Sequence, residues 1–150
     1  FFKQKTAYEI KECDWSSDVC SSVCSPITCV AAIEVIKEMS KPEFMAHAVH
    51  VGKIMESRLS NWYEKYPVVG NVRGIGPMRL VEFVQSRATR TPDPDTTLKI
   101  IRDAVSKGIL LIRAGLYSNC IRLLPPLVIT EEQLHEGLDI LEGAIARAQS

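Results

Sequence analysis

The sequence carries no net charge: eighteen lysines and arginines balance eighteen aspartates and glutamates. Without a basic block, neither a nucleic acid nor an anionic membrane surface has an electrostatic claim on the chain. No apolar run approaches the ~20 residues that span a bilayer, and the amino terminus lacks the apolar stretch and small-residue cleavage site of a signal peptide. The expectation is a soluble, cytoplasmic protein without nucleic-acid or membrane partners. Zinc-type CxxC pairs are missing too. The five cysteines, Cys13, Cys20, Cys24, Cys29 and Cys120, are odd in number, so neither a disulfide framework nor a metal site is expected. His47 and His50 stand three apart on one helix, but no third ligand lies nearby in the sequence, and they read as a polar face. His135 reads as a surface helix residue.

What is present bounds the size of the object. A chain of 150 residues, 46% hydrophobic and 24% charged, can bury one ordinary core and makes at most one compact domain. Composition changes sharply near residue 22. The segment FFKQKTAYEIKECDWSSDVCSS shows neither a helical nor an alternating period, whereas everything after about Ser25 is strongly periodic. KQKTAYEI at Lys3 to Ile10 and DWSSDVCSS at Asp14 to Ser22 resemble the two constant arms of a translated short-read sequencing adapter, with Lys11, Glu12 and Cys13 where its variable index would fall. Residues 1–22 are therefore expected to be a non-native leader, and Tyr8, Cys13, Trp15 and Cys20 are set aside. The domain proper is expected over 23–150.

From Ser25 onward the chain reads as helix, helix, strands, helix, strands, helix. Cys29, Ala32, Ile33 and Ile36 recur at three- and four-residue steps, which is one face of a helix over Thr28 to Glu38. Ser40, with Glu43 three residues on and Pro42 in the first turn, predicts a capping box and a second helix whose buried face carries Phe44, Ala48, Val51, Met55, Leu59 and Trp62. Pro67 stops it. VVGNVRGIGPMRLVEFV, broken by Gly70, Gly74 and Gly76, reads as two short strands or one sharply bent strand. Asp93 as N-cap, Pro94 at the first position and Gly108 as the stop bound a third helix with Leu98, Ile101 and Val105 inward. Strands follow over Ile109 to Arg113 and Cys120 to Leu124, joined through a turn containing Gly115. Thr130 and Gln133 predict a second capping box, opening a last helix with Leu134, Leu138, Leu141 and Ile145 inward. The pattern is α+β: helices packed on a short antiparallel sheet.

One cation stands out. In SNCIRLLPPLVIT, Ser118 to Thr130, Arg122 sits among Ile121, Leu123, Leu124 and Leu127, and a guanidinium there needs an anionic partner or stays poorly solvated. The partner is either a bound anion or a glutamate of the same domain. Arg73 in VRGIG reads as a bracket between its strand and a neighbouring loop, with Gly74 and Gly76 supplying unusual backbone angles. Arg79 and Arg113 read as reaching solvent or another domain.

Four segments together carry a family resemblance: SPITCVAAIEVIKEM, YPVVGNVRGIGPMRLVEF, GILLIRAGLYSNCIRLLPPLVIT and EEQLHEGLDILEGAI. In order and spacing they resemble the carboxy-terminal small domain of class III pyridoxal-phosphate aminotransferases, and RAGLYSNCIRLLPPL looks most like the 4-aminobutyrate branch. The resemblance implies the small domain of the aspartate-aminotransferase-like fold. It implies a parent enzyme that is a homodimer, uses pyridoxal phosphate, and acts on amino-acid and 2-oxo-acid substrates. In the family, the arginine of the motif matched here by Asn119, Ile121, Arg122, Pro125 and Pro126 receives the substrate's carboxylate, a role carried to Arg122 alone. A planar fork of donors grips a carboxylate bidentately and so aims the amino group at the cofactor.

The same resemblance implies what this chain should not do alone. The Schiff-base lysine, the carboxylate facing the pyridine nitrogen and the phosphate cup all precede the matched region in the family, so no catalytic or cofactor-binding residue is assigned and the fragment is expected to be inactive. Ser106-Lys107-Gly108 is similar to the Ser-Lys around the family's cofactor lysine. Ile109 to Ile112 follow, however, in place of a glycine-rich continuation, and Lys107 reads as a last-turn cation. Ornithine, acetylornithine or another ω-amino acid stands as the alternative donor. A non-enzymatic α+β ligand-binding module stands as the alternative class.

Overall fold

A computed structural model describes residues 26–149, and the leader expected at 1–22 lies outside the described residues. The chain divides into two units, one up to Met45 and the other from Ala46 onward.

In the first unit, helix α1 (Pro26–Met39) carries no buried residue. Its outer surface is tied by the Glu34–Lys37 pair at 3.2 Å. Helix α2 (Pro42–Ser60) begins two residues after the last turn of α1, with Pro42 in the first turn as expected. The capping box expected from Ser40 and Glu43 does not form. Ser40 is still closing α1: its backbone N–H and its hydroxyl both donate to the Ile36 carbonyl, at 2.9 and 2.8 Å. The first carbonyl of α2 to accept a helical bond is that of Lys41, from the Met45 N–H. With so short a connection one residue cannot occupy the flanking positions of both helices, and the earlier helix holds it.

In the second unit, α2 buries Ala48, Val51, Gly52, Met55 and Leu59 at helical spacing. A single turn, α3 (Trp62–Lys65), places Trp62 in the core as a separate element rather than as the end of α2. The glycine-broken segment is two strands, β1 (Val69–Ile75) and β2 (Met78–Ser86), paired antiparallel from Asn71↔Glu82 to Ile75↔Met78. Gly76 (φ 54°) and Pro77 form the two-residue connection. The positive φ at its first position lets the turn follow the right-handed twist of the strands, as glycine allows. Strand β3 (Thr91–Pro92) adds two residues against β2.

Helix α4 (Pro94–Ser106) starts at Asp93, whose side chain accepts the Thr96 N–H at 3.0 Å. Its inward face is Thr97, Ile100 and Ala104, whereas Leu98 and Ile101 are half-buried and Val105 is exposed. The expected stripe is displaced by one residue because Thr97 is not polar in effect: its hydroxyl donates to the Asp93 carbonyl at 2.7 Å, so the core receives only its methyl surface. The helix ends at Gly108 (φ 97°), whose N–H reaches the Val105 carbonyl while the Ile109 N–H reaches Ala104. This left-handed glycine cap draws Ile109 out of any strand. Strand β4 (Ile112–Ala114) is accordingly shorter than expected and pairs with β5 (Cys120–Leu123).

The sheet runs in the order β1-β2-β5-β4, antiparallel throughout. Helix α5 (Glu131–Ala148) opens with both bonds of the Thr130–Gln133 capping box and buries Leu134, Leu138, Leu141 and Ile145, as its spacing predicts. The core lies between the helices and one face of the sheet, where Val81, Phe83, Ile121 and Leu123 meet Met55, Leu59, Ile100 and Leu141.

Candidate functional site

Strand β5 is short and alternates strictly at its centre: Ile121 and Leu123 are buried, and Arg122 between them is exposed. The side-chain period of two puts the guanidinium on the face opposite the core. The sequence-based expectation that Arg122 is poorly solvated therefore does not hold within this chain. The leucine and isoleucine that make its surroundings look apolar point the other way. Among the described residues, no ion pair or hydrogen bond engages its side chain, so the expected alternative of a glutamate partner in the same domain is not realised there. Its cross-strand neighbours are Leu80 on β2 and Ile112 on β4, giving the cation apolar flanks across the sheet.

Arg122 also belongs to the lining of an open cleft of about 630 Å³, bounded by residues 107–112, by residues 122–126 and by α5. Most of that lining is aliphatic. Lys107, Arg122, Gln133 and Glu136 are the charged or amide residues along it. Beyond Leu123 the chain turns into Leu124-Pro125-Pro126, and the two prolines have no N–H to extend the ladder, which ends β5 at the cleft.

The chemistry that pyridoxal phosphate needs is not assembled among these residues. Lys107 is the C-cap of α4 and its Nζ lies 3.2 Å from Asp103. A phosphate placed beside it would face the negative end of the helix dipole rather than a ring of N–H donors. Lys107 and its surroundings therefore do not fit the cofactor.

Arg79 and Arg73 have found partners. Arg79, expected to reach solvent or another domain, is largely enclosed: it donates to the Gly76 carbonyl at 2.7 Å and to Glu56 at 2.9 Å, clamping the β1–β2 turn on α2. Gly52 makes this approach possible, since a Cβ there would lie 2.8 Å from the Gly76 carbonyl carbon. Arg73 bonds Asn71 and Glu82, both at 2.8 Å, so it brackets its own hairpin rather than a loop. Arg113 is exposed, as expected. The histidines serve the α2–α5 side: His47 meets the Ile129 carbonyl at 3.0 Å, His50 pairs with Glu131, and His135 contacts Arg58. No cluster of metal-ligating side chains occurs among the described residues. Burial, with Glu82 nearby, pushes the Cys120 thiol up, away from the thiolate form.

Reasoning from sequence counted Asn119 in the matched motif but gave it no role. Asn119 is 3% exposed, its Nδ2 donates to the Phe83 carbonyl at 2.9 Å, and its own carbonyl accepts the Phe83 N–H at 2.8 Å. The available signal was an amide at the entry to an apolar strand, a position where a buried polar group must be fully bonded.

Comparison with known proteins agrees with this architecture. The family model for aminotransferase class-III matches residues 22–145. A probable 4-aminobutyrate aminotransferase of Bacillus subtilis (strain 168) is 36% identical over 121 residues, covering 81% of this chain and 28% of that protein. The 4-aminobutyrate aminotransferase of Escherichia coli (strain K12) is 34% identical over 125 residues, covering 83% and 29%. Among solved structures, an amine transaminase from an uncultivated Pseudomonas species, in its PLP-bound form, superposes with a TM-score of 0.72 at 32% identity, over 82% of this chain and 28% of that one. The chain thus spans under a third of the length of the relatives it matches. A match that runs through all the elements of the second unit, in order and in fold, places this chain in the class III aminotransferase family.

Proposed function

We propose that residues 23–150 are the carboxy-terminal small domain of a longer pyridoxal-phosphate-dependent aminotransferase, and that Arg122 receives the carboxylate of its amino-acid substrate. The observation that carries this reading is an exposed guanidinium, without an acidic partner among the described residues, held on a strand whose flanking side chains are buried. A cation so placed is available to a ligand, and its fork matches a carboxylate bidentately. The names of the relatives favour 4-aminobutyrate as donor, and we propose 2-oxoglutarate as acceptor. We further propose that the parent is a cytoplasmic homodimer, that its cofactor is held by residues outside 26–149, and that the chain alone is inactive. Residues 1–22 are proposed to be adapter-derived. Independently cloned genomic DNA upstream of the Pro26 codon is expected to encode a large domain with a Schiff-base lysine, and recovery of KQKTAYEI and DWSSDVCSS there would refute the adapter origin.

The test of the arginine is Arg122→Lys in the full-length parent. Charge is kept and the fork is lost. The specificity constant for carboxylate-bearing amines is expected to fall by about tenfold or more, with a much smaller effect on amines lacking a carboxylate and no change in the cofactor absorbance spectrum. Equal losses for both amine classes would make Arg122 a structural bracket.

A further inference from the structure

We propose that Asn119 is the positioning residue for Arg122: it fixes the register of β5 on β2 and thereby decides that the guanidinium faces the substrate side of the sheet. This rests on the reading of Arg122 as the carboxylate-binding group. Register matters more here than in most strands. Side chains alternate with a period of two, so a slip of one residue would turn Arg122 into the core and bring Ile121 and Leu123 out.

The strand offers few places to prevent that slip. It has four residues, and its pairing with β2 runs from Glu82↔Cys120 to Arg79↔Leu123. At the carboxy-terminal end Pro125 and Pro126 cannot donate, so the ladder cannot be extended there. At the amino-terminal end Asn119 extends it twice. Its carbonyl takes the Phe83 N–H at 2.8 Å, and its side-chain amide gives the Phe83 carbonyl a donor at 2.9 Å. Both backbone polar groups of Phe83 are thus bonded by the residue that leads into β5, the carbonyl also accepting the Asp93 N–H at 3.2 Å.

Two further features show that this end is built rather than incidental. Asn119 and Thr97 are the buried polar residues of the described core, and Thr97 is satisfied within its own helix, whereas Asn119 is satisfied across the sheet. Ser118, immediately before it, adopts φ 56°, a left-handed conformation disfavoured for a residue with a Cβ. The turn that delivers Asn119 to Phe83 is therefore held against a local preference. Gly115 (φ 86°) closes the same turn, where a Cβ would lie 2.8 Å from the Cys120 sulfur.

The experiment compares Asn119→Ala, Arg122→Lys and the double variant in the full-length parent enzyme, each assayed with 4-aminobutyrate and with a primary amine that has no carboxylate. For Asn119→Ala the kcat/KM ratio between the two donors is expected to drop by about 10- to 100-fold, chiefly through KM for 4-aminobutyrate, because the fork is displaced rather than removed. Cofactor absorbance should not change. In the Arg122→Lys background the same substitution should alter the ratio little, since both act through one contact. Equal losses for both donors, or full additivity in the double variant, would overturn the positioning role. Should Arg122→Lys shift the ratio and Asn119→Ala not, the positioning inference fails and the carboxylate role of Arg122 stands. Should Arg122→Lys leave the ratio untouched, both fail. Asn119→Asp, nearly isosteric but presenting an oxygen to the Phe83 carbonyl, is the second variant and is expected to reproduce the loss. If neither variant yields folded enzyme, Asn119 is a general determinant of the fold and the positioning role is overturned.

Discussion

At the scale of single residues, the chain uses glycine where a side chain would collide or would have to adopt a left-handed backbone. Gly108 needs φ 97° to close α4 and has open space around its Cα, so its cost on substitution is conformational alone. Gly108→Ala is expected to lower stability by about 1–2 kcal/mol, and Gly108→Asn by less, read as a shift in the urea midpoint at constant slope. Gly52 is the opposite case: its backbone is helical, but a Cβ would press on the Gly76–Pro77 turn. Gly52→Ala should gain helix propensity and still destabilise, by about 1–3 kcal/mol, because overpacking at a backbone contact outweighs it. A neutral or stabilising result would mean that the turn can move away. Both glycines were visible in the sequence, but only Gly108 announced its role. A helix stop is local, whereas the neighbour of Gly52 is a turn more than twenty positions later in the chain.

At the scale of elements, caps separate what neighbouring residues determine from what the wider chain decides. Thr130 and Gln133 form the reciprocal pair that their spacing predicts. Thr130→Ala should cost about 1 kcal/mol and increase amide exchange in the first turn of α5. Ser40 and Glu43 have equivalent spacing and form no such pair, because only two residues separate α1 from α2 and α1 claims the serine. Ser40→Ala should therefore loosen the last turn of α1 rather than the first turn of α2, a difference that residue-level exchange would resolve. The face of α4 follows the same logic. Leu98, Ile101 and Val105 make the more apolar stripe on paper, yet Thr97, Ile100 and Ala104 face the core, since a threonine whose hydroxyl is bonded within its own helix packs as an apolar residue.

At the scale of the second unit, charge holds helix to helix around Glu142. Burial pushes its carboxyl up, and hydrogen bonds from Lys65, Tyr66 and Arg58 outweigh that and hold it below the usual carboxylate range. A carboxyl depressed in the folded state stabilises fully above its unfolded pKa and loses that contribution as pH falls through the folded one. Stability should thus decline with acid from about pH 5 downward, and Glu142→Gln should flatten that decline while lowering stability near neutrality. An unchanged acid profile would show that the network is too hydrated to matter. The free face of the sheet leads to a second expectation. Ile75, Met78 and Ile112, which share the face of Arg122 by alternation, are all more than half exposed. The 150-residue chain expressed alone is expected to self-associate and bind an apolar dye, readable by size-exclusion chromatography and fluorescence.

The sequence by itself determined the α+β class, the order of the elements, the caps at Asp93, Gly108 and Thr130, and the buried face of α5. Each of these depends on residue type, spacing over a few positions, or a short motif, and such signals survive without knowledge of the rest of the chain. Tertiary structure alone decided which way Arg122 faces, what Asn119 holds, and why Arg79 is enclosed while Arg113 is free. Those outcomes turn on the pairing of β5 with β2 and of the β1–β2 turn with α2, contacts between residues 27 to 44 positions apart. A four-residue strand with isoleucine and leucines around an arginine reads the same in either register, and only its partner strand breaks the tie.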